Sequence, residues 1–392
     1  MRIAIIGSGI SGLTAAYLLS PENEITVFEA NDYIGGHTHT IDIKIGVKTY
    51  AVDTGFIVFN TKTYPNFTRL MKKLEVPWQL SRMSFSVQCK KSGLVFSPST
   101  LNSLFVQRRN LFRPDFYRML MDAVRFRRKS LLLLDSKDDL ITLDDYLQRH
   151  KYSRLFTDHF IIPMGSAIWS TDPDRFRNFP ARYFAEFFNN HGILNVRNQP
   201  QWLVIKGGSR QYVKSLIRGF KDRIRTNTPV AAVRRKVDRV EVTAANGETE
   251  IFEQVIIAAH SDQALAMLAD PSDLECHILE SIPYQENKTV LHTDTSVLPS
   301  KRSSWASWNY CNPSEKTVRV AVTYNMNILQ SLKADTEFCV TLNWFGRIDP
   351  SKVLRKLVYH HPVYDPPGLK ARKLHAEING VNPTYFYGAD GG

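Results

Sequence analysis

Apolar positions along this 392-residue chain follow two rhythms, and their succession predicts the elements. RIAII (2–6) is an unbroken apolar run, the mark of a strand buried on both faces. SGLTAAYLLS (11–20) places Leu13, Ala16, Tyr17 and Leu18 at helical spacing, and ITVFE (25–29) is apolar again. Together they predict a compact β-α-β unit. IDIKIGVKTYAVDTGF (41–56) alternates around Gly46, which predicts a hairpin leading into Asp53-Thr54-Gly55-Phe56. From 64 to about 200 the pattern is mostly helical and rich in aromatics. Strand patterns return over 228–260, with a hairpin turn at Asn246-Gly247, and again over 288–345. PTYFYGADGG (383–392) reads as a last strand. The strands of one α/β domain are therefore split along the chain, with a helical domain inserted between them.

Between the first strand and its helix, Gly7, Gly9 and Gly12 match G-x-G-x-x-G. The first glycine permits the tight turn, the second lets backbone approach a pyrophosphate, and the third packs helix on strand. Ser11 adds a hydroxyl at the helix start, where exposed N–H groups favour phosphate. Glu29 lies 22 residues after Gly7, at the end of the second strand. Its carboxylate suits ribose hydroxyls and repels a 2′-phosphate. This context predicts a dinucleotide site; the competing reading is a glycine-rich structural turn.

Gly35-Gly36 follows Glu29 by only six residues, where an NAD enzyme would enter another crossover helix. The chain instead runs into YIGGHTHT and a hairpin. This resembles the extended N-terminal signature of the flavin-containing amine oxidase superfamily. GGHTHT, VDTGFIVFN, YPNFTRL, MSFSV, PMGSAIWS, GGSRQYV, VLHTD, WASWNY and YHHPV sharpen the resemblance to its bacterial predicted NAD/FAD-binding proteins, which often accompany cyclopropane-fatty-acid synthases. The resemblance implies an α/β fold: a Rossmann-like FAD-binding domain of glutathione-reductase/amine-oxidase type (1–75, 205–287 and 346–392) and an inserted α+β substrate domain (76–204 and 288–345). It implies FAD, held by Gly7, Gly9, Ser11, Gly12, Glu29, Ala30, Gly35, Gly36, His37, Thr38, Gly55, Val230 and Gly388. Two departures stand out. His37 occupies the place where most amine oxidases carry arginine. YFYGADGG stops at Gly392, so the helix that would face the flavin pyrimidine is expected to be missing. No second G-x-G-x-x-G opens a later helix, which argues against a dedicated NAD(P)H domain.

Candidate chemistry beside the cofactor is sparse, and no catalytic residue is assigned. Trp169, Trp305 and Trp308 suit a pocket wall or an ordinary core. His37 and His39 share one face of an extended segment and are too few for a metal site. His292 reads as a base or a structural histidine, and Asp53 as a loop support or a turn residue. Cys89, Cys276, Cys311 and Cys339 form no CxxC pair and read as free thiols of a reducing compartment. No secretory signal or apolar run of membrane-spanning length is present, so the expected location is the cytoplasm.

Charge changes the picture at one place. The chain carries a net +12, which favours anionic partners. The segment 106–129 holds eight basic residues and two acids, half of that excess. After Pro114 it reads as a helix with Phe112, Phe116, Met119, Leu120, Ala123 and Phe126 on one face and Arg118, Arg125, Arg128 and Lys129 on the other. A peripheral contact with anionic membrane stands against a solvated basic face; nucleic acid is not expected, since no reading module accompanies the charge. The function implied is an FAD-dependent oxidoreductase that oxidises or desaturates an apolar or lipid-like substrate by hydride transfer to flavin. The alternative is a non-catalytic FAD- or nucleotide-binding protein.

Overall fold

The computed structural model describes residues 1–135, 141–169, 171–194, 199–312, 321–343, 348–363 and 366–388. The first three elements are β1 (Arg2–Ile6), α1 (Ile10–Leu19) and β2 (Glu24–Phe28), within a residue or so of the sequence expectation. They seed a five-stranded parallel sheet in the order Ile224–Arg225, β2, β1, Gln254–Ile257, Thr384–Phe386. Ile3, Ile5 and Ile256 pack one face beneath α1, while Ala4, Val255 and Ile257 pack the other. Burial on both faces is why these strands read as apolar runs. The last four residues of PTYFYGADGG lie outside the described residues.

The hairpin pairs Thr40–Ile45 with Lys48–Asp53. Strands Val240–Ala244 and Thr249–Phe252 turn at Asn246-Gly247 as expected, and Val230–Arg235 completes that small antiparallel sheet. A seven-stranded sheet runs Val353–Pro362, Tyr284–His292, Cys339–Leu342, Ala321–Asn325, Trp308–Asn312, Phe85–Cys89, Leu94–Phe96. Two differences from the sequence pattern follow. Strands Trp78–Leu80, Phe85–Cys89 and Leu94–Phe96 interrupt the stretch expected to be helical, because SFSVQC alternates with period two. The strand Val353–Pro362 pairs along its length with Tyr284–His292, so it joins the large sheet rather than the parallel one.

Against the large sheet lies a helical layer with an aromatic core. Phe126 meets the rings of Tyr146, Tyr152, Phe156 and Phe184 at centroid distances of 5.7–6.1 Å. Trp169 stacks among Phe176, Phe179 and Phe187 in this core. Trp308 meets Tyr324 edge-on at 5.1 Å, and the Trp305 indole donates to the Pro299 carbonyl (2.7 Å). All three tryptophans thus make core or loop contacts. All four cysteines are free thiols, and Cys89, Cys311 and Cys339 are buried.

Candidate active site

The glycines of the first turn do different work. Gly7 has φ +103°, and a Cβ on it would lie 2.5 Å from the Ala258 carbonyl oxygen. A Cβ on Gly12 would lie 2.0 Å from the carbonyl oxygen of Gly7. Both are demanded by close backbone packing. Gly9 is not: its φ is −68°, and nothing lies within 4 Å of a Cβ built there. The open space sits at the N-terminus of α1, which has no side-chain cap and no acid in its first turn. The orphan N–H groups and the helix dipole make this a seat for an anionic phosphate. Ser11 is half-buried on the same turn.

The glycine pair closes a second turn over the first. Gly35 (φ +132°) donates its N–H to the Ser8 hydroxyl at 3.2 Å. Gly36 (φ +58°) packs so closely that its Cβ would lie 3.1 Å from the Cα of Gly9. Ser8 is the link that the sequence reading missed. Its N–H (2.9 Å) and hydroxyl (2.5 Å) both donate to Oε2 of buried Glu29. Asn31 donates its backbone N–H (2.9 Å) and side-chain amide (2.7 Å) to Oε1. With two donors on each oxygen, Glu29 holds the two turns together and its carboxylate is saturated by protein donors. Thr228 and Asn227 donate to the carbonyls of Glu29 and Asn31, which brings the segment entering Val230 alongside. Ala30 is exposed there.

Beyond the pair, the chain is braced from below. A Cβ on Gly55 would lie 2.2 Å from the His37 carbonyl oxygen, which accepts from the Phe56 N–H (2.7 Å). The Thr38 hydroxyl hydrogen-bonds that of Tyr212. Asp53 is fully buried and accepts from Thr40 (2.5 Å), the Ser209 N–H (2.9 Å) and hydroxyl (2.8 Å), and Gln330 (2.8 Å). Burial pushes its carboxyl up to about 6. Asp53 therefore ties the hairpin to the start of helix Arg210–Leu216, a supporting role. Gly388 lies two residues beyond the strand Thr384–Phe386, where its Cβ would lie 2.4 Å from the Ala259 carbonyl oxygen.

His37 opens onto a ring cluster built from distant segments. Its ring lies 5.1 Å from Tyr359, 5.5 Å from His361 and 6.2 Å from His260. His260 stacks on Tyr284 at 4.2 Å, and Asn287 lies 2.8 Å from His361 Nδ1. Burial and the neighbouring imidazoles push His37 down to about 4 and His361 down to about 3. Nε2 of His37 is buried without a partner. His39 stacks on Tyr33 at 4.0 Å with Nδ1 3.1 Å from the Tyr359 hydroxyl, so the two histidines share Tyr359. His292 is fully buried away from this cluster, bonded to Thr341 (2.7 Å) and to the Asp294 N–H (3.0 Å). It is structural. The YHHPV stretch carried the signal for His361 and Tyr359, but only the pairing of Val353–Pro362 brings them here.

The site thus offers a phosphate seat at α1, an open approach at Gly9, and an orphaned imidazole nitrogen nearby. The Flavin containing amine oxidoreductase family matches residues 10–330. The chain belongs to this family. Its cofactor is FAD, and the protein is an FAD-dependent oxidoreductase. The glycine geometry fits that cofactor, since Gly9 is small with no protein neighbour to explain it. In fold the chain is similar to cyclohexylamine oxidase from Brevibacterium oxydans IH-35A, at 15% identity, 100% of this chain, 93% of that one and a TM-score of 0.69. It is equally similar to the CLA-producing fatty acid isomerase from P. acnes, at 15% identity, 98% and 92% coverage and a TM-score of 0.68. In sequence it is 24% identical over 223 residues to protoporphyrinogen oxidase 2 of Arabidopsis thaliana, covering 55% of this chain and 42% of that one. That match spans less than half of the relative's length.

Proposed function

We propose that this flavoenzyme oxidises or desaturates an apolar, lipid-like substrate, with an acyl chain as the leading class. The observation that carries the reading is the neutrality of the site. The ring cluster beside His37 brings together His260, Tyr284, Asn287, Tyr359 and His361, and His37 and His361 are held neutral by burial. A substrate ammonium finds no free carboxylate among them, whereas a hydrocarbon loses nothing by entering. The finer resemblance to proteins that accompany cyclopropane-fatty-acid synthases supports the same class, as does the fold shared with a fatty acid isomerase.

In this reading the parallel sheet carries the cofactor, and the seven-stranded sheet with its aromatic helical layer carries the substrate. The α1 N-terminus, Gly9 and Ser11 hold the pyrophosphate, Gly36 closes the turn over it, and Glu29 with Val230 flanks the adenosine end. When bound, FAD supplies a hydride acceptor. The chain's own residues position both partners and exclude water through the aromatic layer. A peripheral contact with an anionic membrane, the direct source of such a substrate, belongs to the same proposal.

The test is anaerobic bleaching of the bound flavin's visible absorption by a panel of acyl substrates and amines. Bleaching by acyl compounds is the expected result. Bleaching by amines alone would overturn the proposal.

A further inference from the structure

The basic helix Pro114–Lys129 differs from its sequence reading in two respects. Phe116, Met119 and Phe126 are buried as expected, but Phe112 is 86% exposed. It sits in a separate 3-10 turn, Arg108–Phe112, so the helical phase does not extend to it. The outward face is not purely basic either. At about 100° per residue, Tyr117, Met121, Val124 and Arg128 fall within one narrow outward stripe. Met121 is 65% exposed and Val124 52%, and Leu132 just beyond the helix is 69% exposed. Residues 101–132 carry eight of the 21 exposed large hydrophobics among the described residues. Such clustering marks an interaction surface.

Beside this stripe, on the Arg118 side, lies a pocket of about 510 Å³ lined by Arg113, Arg118, Arg154, Tyr152, Ser153 and His159. Of its acids, Asp158 is already paired with Arg177 at 2.6 Å, which leaves Asp115 against three guanidinium groups. Among the described residues, Arg113, Arg118 and Arg154 have no carboxylate partner. Asp122, the other acid of the helix, is turned inward, where it accepts from the Ser153 N–H (2.8 Å) and pairs with Arg125 (2.9 Å).

We propose that this face docks onto an anionic lipid bilayer, with the exposed apolar residues entering the headgroup–acyl boundary and the arginine pocket taking a lipid phosphate. Charge complementarity selects the occupant. A second copy of the chain would bring like charges together, and a nucleic acid would leave Phe112, Met121 and Leu132 without apolar contact. A bilayer satisfies both parts of the face, as a monotopic amphipathic helix does. The inference rests on the lipid reading of the active site for its purpose, but not for its physics.

The test is flotation of the full-length holoprotein with phosphatidylcholine vesicles and with equimolar phosphatidylcholine–phosphatidylglycerol vesicles. Binding is expected only to the anionic vesicles, and it should weaken with salt. Arg113→Gln with Arg118→Gln should weaken it about 25-fold, taking roughly fivefold per basic residue. Phe112→Ser with Met121→Ser should weaken it at least tenfold while keeping the salt dependence. Phe112, Arg118 and Met121 are exposed and Arg113 is half-buried, so thermal unfolding and bound flavin serve as controls for folding. The proposal is overturned by failure to bind anionic vesicles, or by displacement with inorganic phosphate at constant ionic strength, which marks a free-anion site. Indifference to the Phe112 and Met121 substitutions also overturns it, because charge alone would then explain the binding. Flavin bleaching by a detergent-solubilised acyl substrate is measured separately, so failure at the vesicle leaves the active-site reading standing.

Discussion

Gly9 and Gly12 lie three residues apart in one motif, yet close packing demands a glycine at 12 and leaves 9 open. An alanine at 12 would place its Cβ 2.0 Å from the Gly7 carbonyl oxygen and 3.1 Å from the Ala258 Cβ. The first neighbour is backbone of the turn itself, so helix and strand must part. Overpacking of this kind costs about 1–3 kcal/mol, and more where backbone must move. Gly12→Ala is therefore expected to lower the unfolding free energy of the apoprotein by about 3 kcal/mol. Gly9→Ala meets nothing within 4 Å and keeps an ordinary φ of −68°. Restricting the unfolded chain there should stabilise the apoprotein by about 0.4–1 kcal/mol. In the proposed site the same methyl group stands where the pyrophosphate would approach the α1 N–H groups. Losing one charge-assisted hydrogen bond is worth about 1.5–3 kcal/mol, a roughly 10- to 150-fold loss of FAD affinity. Urea denaturation of both apoproteins and quenching of free FAD fluorescence measure the two effects. A Gly9→Ala variant that binds FAD like the parent protein would refute the phosphate seat, whatever its stability.

Three further outcomes follow from the buried charges and rings. His37 has its Nε2 unpartnered and is held down to about 4 by burial; in the proposed site the cofactor's pyrophosphate favours its protonated form, so FAD affinity should rise as pH falls from about 6.5 toward 4. His37→Gln should abolish that slope, and an unchanged slope in fluorescence titrations would exclude His37 from the cofactor site. His292 is pushed down to about 4 from 6.5 by burial, so the unfolded chain binds its proton first on acidification. Stability contributed by neutral His292 is thus present above pH 6.5 and lost as pH falls toward 4, by roughly 3 kcal/mol, and His292→Gln should flatten that limb in urea melts. Arg235, almost wholly buried, pairs with Glu275 at 2.5 Å and with Asp270 at 3.1 Å. Glu275→Gln should cost about 3 kcal/mol because it leaves a buried charge short of its partner, and a loss below about 1 kcal/mol by chemical denaturation would contradict this.

What could be read from the chain was what one residue's stereochemistry decides. The apolar runs of the parallel sheet, the positive-φ glycines at 7, 35 and 36 and the turn at Asn246-Gly247 each leave a local mark. What could not be read were relations set by register between distant strands. His361 reaches His37 from 324 positions away only because Val353–Pro362 pairs with Tyr284–His292, a pairing that no local pattern encodes. Phe112 went wrong for a related reason: the turn before Pro114 breaks the helical phase, so face assignment by spacing fails just outside the helix. Glu29 shows the limit within the motif itself. Its spacing from Gly7 announced a ribose ligand, but the neighbouring Ser8 and Asn31 decide what its four lone pairs do before any ligand arrives. In the proposed site, position in the motif marks where the cofactor would lie, whereas hydrogen-bond occupancy marks which group would yield to it. Asn31, the exposed one of the two side chains bonded to Glu29, would be the group to yield there, whereas Ser8 is buried.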